Sequence, residues 1–449
     1  MDNVIKNRIE QINYGEVPQG YVKTQFGIFP NEWSVDKTFC DLFDFYGGLS
    51  KSREALGEIG HPYLHYGDLH RNPVTVVSQN TYLDMPKYAC DISGNETFLM
   101  KDGDVAFLDA SEDLEGTSRA VLIDNPNNKT FIAGLHIING RSKNNSLQKL
   151  YKQYITTPQY IKKQFQRLAV GFKVYGLNRD TLSKIKIAFP HSLSEQLKIA
   201  EILMKWDEAI GLYNCQIEKI KQYKSILLKK IFPKGGKNVP EWRFKDFTED
   251  WEQRKLGDVG KTYGGLSGKS KEDFGHGDAK FVPYINVFTN PIADTEMTGS
   301  IEVDKRQNQV KKGDVFFTTS SETPEEVGMS SVWLKSEDNI YLNSFCFGFR
   351  PSTSINSYYL AYMLRSNGVR QRIVFLAQGI SRYNISKKKM MEIEVPLPHE
   401  TEQTQIGELF KLLDNLITLH QRKVDTIKKQ RKVLQHYLLN GIVRVKQSI

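Results

Sequence analysis

The chain has 449 residues, and its 61 Lys and Arg against 52 Asp and Glu leave a net charge of +9. That length accommodates roughly two to four domains, and the basic balance suits a polyanion partner without identifying one. No apolar run approaches a bilayer span, residues 1–10 are too polar for a signal peptide, and the four cysteines lie scattered without C-x-x-C spacing. A protein of the reducing cytoplasm, with no membrane association and no structural zinc, is therefore expected.

In chain order, β-branched or alternating stretches at Val105–Leu108 and Ala120–Ile123 are separated by Gly, Asp and Asn turns, and they predict strands. A helical-period segment follows at Gln148–Arg167, then a short strand ending at Pro190. The acidic start at Ser194 and Glu195 suits the positive end of a helix dipole, and it opens a long helix. The same succession then recurs. Strands are expected at Lys280–Asn286 and Phe345–Phe349, helical period at Ser357–Leu376, a strand ending at Pro398, and a second helix entry at Thr401 and Glu402.

The recurrence is a duplication. Glu195 aligns with Glu402 and Ile231 with Leu438, an offset of 207 residues (402 − 195 and 438 − 231) that holds along the whole helix. Upstream, Trp33 pairs with Trp251, Tyr46-Gly47-Gly48-Leu49-Ser50 with Tyr263-Gly264-Gly265-Leu266-Ser267, Gly103-Asp104-Val105 with Gly313-Asp314-Val315, and Ser111-Glu112 with Ser321-Glu322. A unit this long is a domain plus a helix, too large for a solenoid repeat. Its doubling builds an internal pseudo-two-fold into one chain, which suits a ligand with its own two-fold character, duplex DNA being the leading candidate.

The two helices carry matching narrow seams. Ile199, Trp206, Ile210, Ile217, Ile220 and Leu227 recur in the second as Ile406, Leu413, Ile417, Val424, Ile427 and Leu434. Spacings of three and four, near the heptad value, suit pairing with another helix, and about 36 residues make a rod of roughly 54 Å. Two complementary seams in one chain point to an antiparallel coiled coil. Lys224 and Arg431 interrupt the seam at equivalent places. They read either as a polar layer that fixes register or as side chains that snorkel at its edge; the second is preferred, because no acid stands at heptad distance.

These ordered features resemble the specificity (S) subunit of type I restriction–modification systems. The carriers are the Trp-based starts (Asn31-Glu32-Trp33 and Glu249-Asp250-Trp251), the Gly-Gly-x-Ser loops, a Pro-Tyr strand (Pro62-Tyr63-Leu64 and Pro283-Tyr284-Ile285), Gly-Asp-Val, and the Pro…Glu-Gln junction opening each helix. The resemblance covers almost the whole chain. It implies an α+β protein with two similar target-recognition domains, at residues 1–195 and 236–402. Spacer helices at 196–235 and 403–449 would separate them. It further implies that each domain reads one half of a bipartite, asymmetric DNA target. Two methyltransferase (M) subunits would dock on the helices, and restriction (R) subunits would join through them. The loops read Gly-Gly-Leu-Ser where the family more often has Gly-x-Thr-Pro-Ser.

Catalytic motifs are missing. No Pro-Pro pair exists for an amino-methyltransferase motif, and no Glu is followed two residues later by Lys as a common metal-dependent nuclease requires. Gly264 to Ser270 imitates a phosphate loop, but Tyr263 stands where its first glycine must be. His61, His65 and His70 with Asp68 suit a groove better than a metal, since a mixed strand–loop segment rarely converges its ligands. No catalytic residue, metal or cofactor is expected. The alternative is a stand-alone nuclease or methyltransferase with duplicated recognition domains.

DNA contacts are expected from basic and polar loops at matched places. In the first body these are Gly47, Gly48, Ser50, Lys51, Ser52, Arg53, Arg141 and Lys143. In the second they are Gly264, Gly265, Ser267, Lys269, Ser270, Thr319, Ser320, Arg382 and Asn384. Lys and Arg neutralise phosphates, Ser, Thr, Asn and Arg can read base edges, and paired glycines permit close backbone approach.

Overall fold

The computed structural model describes residues 3–71, 74–82, 84–89, 96–171, 174–234, 237–379 and 382–445. The chain forms two compact units, residues 1–212 with 424–449, and residues 213–423. Each unit therefore holds one α+β body and part of each long helix.

In the first unit five strands make the main sheet: β1 (Phe43–Gly47), β2 (Val76–Ser78), β3 (Val105–Leu108), β4 (Ala120–Asp124) and β5 (Ile137–Ser142). Their order is β1-β5-β3-β4-β2, antiparallel except where β4 meets β2. The second unit builds β6 (Gly260–Gly264), β7 (Val315–Thr318), β8 (Ser330–Val332) and β9 (Cys346–Pro351) in the order β6-β9-β7-β8. The register is also repeated. Tyr46 lies opposite Asn139 and Asp44 opposite Arg141, as Tyr263 lies opposite Gly348 and Lys261 opposite Arg350. β3 and β7 are buried at every position, which explains their unbroken apolar run.

The helical-period segments are each interrupted. Gln148–Arg167 resolves into a 3₁₀ turn (Leu150–Tyr154) and a helix (Gln159–Leu168) that begins after Pro158, where the ring suits a helix start. Ser357–Leu376 becomes two helices, Ser357–Met363 and Asn367–Phe375. The Pro-Tyr pairing of the two copies does not hold in space. Pro62 and Tyr63 lie within a strand (His61–Leu64), whereas Pro283 ends the strand Phe274–Val282 and Tyr284 opens a helix (Tyr284–Thr289). Parallel pairing fixes the equivalence: Leu64 faces Ala133 as Val282 faces Leu342, so the counterpart of Tyr284 is Tyr66.

The central helix runs Leu193–Lys230 and the last helix Glu400–Leu439. With 38 residues the central one spans about 57 Å. In the first unit Ile199 and Leu203 share a core with Leu438 and Leu439; in the second, the Phe232 ring just past the central helix stacks 6.1 Å from Phe410. Within each unit the partner residues fall in number as the central helix advances, from Leu438 near Ile199 to Arg431 at Asp207 in the first and from His420 at Tyr213 to Asp414 at Lys224 in the second, so the two helix segments run antiparallel there. Tyr213 and His420, equivalent by the 207 offset, meet each other edge-on at 5.5 Å within the second unit. All twelve seam residues are buried or half-buried.

Lys224 and Arg431 do not snorkel. Arg431 donates to Asp207 (2.8 Å), which also accepts from the Tyr154 hydroxyl (3.1 Å). Lys224 pairs with Asp414, which accepts from the Tyr362 hydroxyl, and the ammonium lies 4.6 Å from the Tyr362 ring centre. The acid missing at heptad distance stands on the facing helix. Burial first, then the charge of Asp207, pushes the Tyr154 hydroxyl well above its ordinary pKa, so it remains a donor.

The Glu-Gln junction has a physical reason in both units. Gln196 donates to the carbonyls of Pro190 (2.7 Å) and Ser146 (2.9 Å) and accepts from Gln148 (2.7 Å), while Gln403 donates to Pro398 (2.9 Å) and accepts from Asn356 (3.1 Å). The amide thus pins the first helical turn to its own body. Glu195 is held by Arg444 (2.6 and 2.8 Å), and fully buried Glu402 by Arg243 (both bonds 2.8 Å) and the Trp251 indole (3.1 Å).

Candidate nucleic-acid interface

Each Gly-Gly loop follows the edge strand of its sheet. A Cβ on Gly48 would lie 2.0 Å from the Gly134 carbonyl oxygen, and one on Gly265 2.1 Å from that of Asn343. The second glycine is thus required for the loop to cross the protein's own backbone, where Leu49 donates to Ala133 and Leu266 to Leu342 (both 2.7 Å). Gly47 has open space around it, and Gly264 nearly so.

Several of the predicted contact residues are engaged within the fold. Arg141 forks onto Asp104 (2.9 Å) and the Leu99 carbonyl (2.6 Å) above the Tyr46 ring; Arg350 repeats this with Asp314 above Tyr263. Lys143 donates to the Cys40 carbonyl (2.8 Å), and Lys269, with its side chain 13 % exposed, meets Asp304 at 3.0 Å. Arg306 and then Lys269 hold the Asp304 carboxyl below its ordinary range. Ser270 caps a 3₁₀ turn through Asp273 (2.7 Å), and the Ser267 backbone is bracketed by Gln307. Exposed positions remain at Ser50, Ser52, Arg53, Arg382 and Asn384, with Lys51 half-buried 5.2 Å from the Tyr88 ring centre and Arg53 bonded to Asp68 (2.9 Å).

In the second unit, four of the predicted residues converge. Ser320 pairs with Asn384 in a two-residue ladder, and Thr319 donates through Oγ1 to the Phe345 carbonyl (2.7 Å). Of these, Ser320 and Arg382 line a cleft of about 360 Å³ whose walls also include Tyr284, Ile285, Phe288 and Phe345, none of them among the expected DNA contacts. The matched place in the first unit is polar. His136, in the left-handed region (φ 60°), bonds Asp109 (2.8 Å) and meets Tyr66 edge-on at 5.0 Å. His65 packs on Tyr66 at 4.6 Å, and His70 contacts Arg119 at 3.1 Å. His65 and His70 of the predicted cluster thus gather around Tyr66 together with His136, and among the described residues no group of His, Cys, Asp and Glu could hold a metal ion. The signal for these positions was available in the duplication: His136 and Phe345 both stand directly before matched strands, β5 and β9, yet differ in chemistry.

The family model for the type I restriction modification DNA specificity domain matches twice, at residues 35–222 and 248–429. The chain is 24 % identical over 440 residues to the MjaX specificity subunit of a type I restriction enzyme assigned in Methanocaldococcus jannaschii, covering 95 % of this chain and 97 % of that one. It is 30 % identical over 287 residues to the MjaVIII specificity subunit of the same organism, covering 62 % and 66 %. Among solved structures, the type I system S subunit from M. genitalium superposes with a TM-score of 0.53 at 16 % identity, covering 91 % of this chain and 96 % of that one. A chain from a study of type I R-M complex assembly and conformational transition gives 0.57 at 14 %, covering 92 % and 99 %. No described helix is long and apolar enough to cross a membrane.

Proposed function

The chain belongs to the type I restriction–modification DNA specificity family, and from that premise we propose that it is the non-catalytic reader of a modification complex. Each unit takes one half of a bipartite target, and the paired helices set the gap and receive two M subunits, through which R subunits join. The observation that carries this reading is the repeated scaffold with unlike surfaces: strand order and register recur, while His136 and Asp109 in one unit are replaced by Phe345 and Thr319 in the other. A reader of two identical half-sites needs identical surfaces. The partners, including double-stranded DNA, place the protein in the cytoplasm, and methyl donor and ATP are held by those partners. The target adenine is extruded into the M subunit, as chemistry on a base within a duplex requires.

Reconstitution tests the assignment. The purified chain alone is expected neither to cleave nor to methylate DNA, and addition of its M subunit is expected to give adenine methylation. Methylation or cleavage by the chain alone would establish instead a stand-alone enzyme with duplicated recognition domains.

A further inference from the structure

Resting on that reading, we propose that the cleft over Tyr284 in the second unit reads base edges of its half-site, Phe345 and Ile285 receiving a thymine methyl group and Arg382 a guanine. Phe345 is 63 % exposed and Ile285 53 %. Large apolar side chains left in water gain nothing in folding, and a rigid exposed aromatic is what a contact anchor needs. Phe345 is rigid. Its carbonyl accepts from Thr319 N (3.0 Å) and Thr319 Oγ1 (2.7 Å), its own N–H donates to Asn343 (2.9 Å), and Asn343 in turn donates to the Val282 carbonyl (2.9 Å). Below it Tyr284 stacks with Phe288 (5.9 Å) and fixes its hydroxyl on the Ser320 carbonyl (2.8 Å).

The charges of the cleft select bases over phosphates. Glu322 and Glu326 lie in its lining, and a carboxylate repels a phosphate but accepts from the amino group of cytosine or adenine. The exposed Arg382 guanidinium has no side-chain partner among the described residues, and its fork matches the O6 and N7 acceptors of guanine. The first unit supplies the contrast. His136 occupies the place of Phe345, its carbonyl accepting from Asp109 N (3.1 Å) as that of Phe345 does from Thr319, and exposed Val174 occupies the place of Arg382. One scaffold thus presents two base-edge chemistries.

The test uses the complete complex with its M subunits and synthetic duplexes carrying the mapped motif. The relevant half is the one that persists when residues 1–195 are exchanged for another family member's. With unaltered protein, deoxyuridine in place of one thymine there should lower kcat/KM for methylation about fourfold, the worth of one buried methyl-sized group. Phe345→Ala should abolish that sensitivity, and Arg382→Ala should relax selection at one guanine by about tenfold or more, with the other half and the spacing unchanged. A half without thymine, indifference to deoxyuridine at every thymine of that half, or an Arg382→Ala complex that still selects every guanine would overturn the assignment. Absence of any bipartite motif in the unaltered complex would reject the family reading itself, whereas a bipartite motif indifferent to these changes rejects only the cleft.

Discussion

The ion-paired junctions within the two units and the exposed surfaces around His136 and Phe345 have diverged in opposite ways. At the junctions the partners change and the interaction survives: Arg431, Asp207 and Tyr154 in one unit become Lys224, Asp414 and Tyr362 in the other, and Arg444 on Glu195 becomes Arg243 on Glu402. At the clefts the backbone frame survives and the chemistry changes, from His136 on Asp109 to a bare Phe345. A buried charge without its partner is costly, so each acid keeps a cation even when the cation is replaced. An exposed side chain carries no such constraint and is free to follow the ligand.

The largest expected effect lies at the better buried junction. Glu402→Ala leaves Arg243 and the Trp251 indole unpaired and should destabilise the second unit by about 3–5 kcal/mol. Glu195→Ala should cost less, because among the described residues the Glu195 carboxylate answers only Arg444, and the Trp33 indole makes no bond to it. Hydrogen exchange resolved by unit checks the ranking, and equal losses would break the comparison.

Next come the glycines. Gly48→Ala or Gly265→Ala drives a methyl group into a carbonyl oxygen and should cost about 1–3 kcal/mol in chemical denaturation, whereas Gly47→Ala should be near neutral. A tolerant Gly265 would mean that the loop does not cross its backbone as closely as described.

The half-exposed ion pairs rank third. Asp414→Ala or Asp207→Ala should each cost about 1 kcal/mol, since solvent screens both pairs. The exchange of Lys224→Asp with Asp414→Lys should recover part of the loss, and a double-mutant cycle with no coupling would assign these residues to the solvated edge after all.

The smallest effect belongs to Arg53, exposed and shared with Asp68. In the assembled complex Arg53→Ala should weaken DNA binding evenly across sequences and lower the salt slope by about one, without altering the motif. A changed motif would move Arg53 from phosphate contact to base reading.

The duplication, the seam and the α+β class were legible in the sequence because they rest on period and spacing, which burial enforces along the chain. The ion pairs between the helices were not, although Asp207 and Asp414 share the 207 offset. A search confined to one helix cannot see a partner on the facing helix. The Pro-Tyr match misled for a related reason, since Pro62 and Pro283 lie in similar words but in different elements. Among the candidate contacts, charge alone did not distinguish Arg141, spent on Asp104, from Arg382, which is exposed; only the fold shows which guanidinium is already occupied. The aromatic residues of the cleft escaped because an exposed Phe and a core Phe look alike in sequence.

A genome-wide map of methylated adenine in cells co-expressing this chain with its M subunit tests whether two unlike readers sit on one repeated scaffold. One bipartite motif with two unlike halves at a fixed spacing is expected, and a change in only one half when residues 1–195 are exchanged. A continuous palindrome, or alteration of both halves by that exchange, would contradict it.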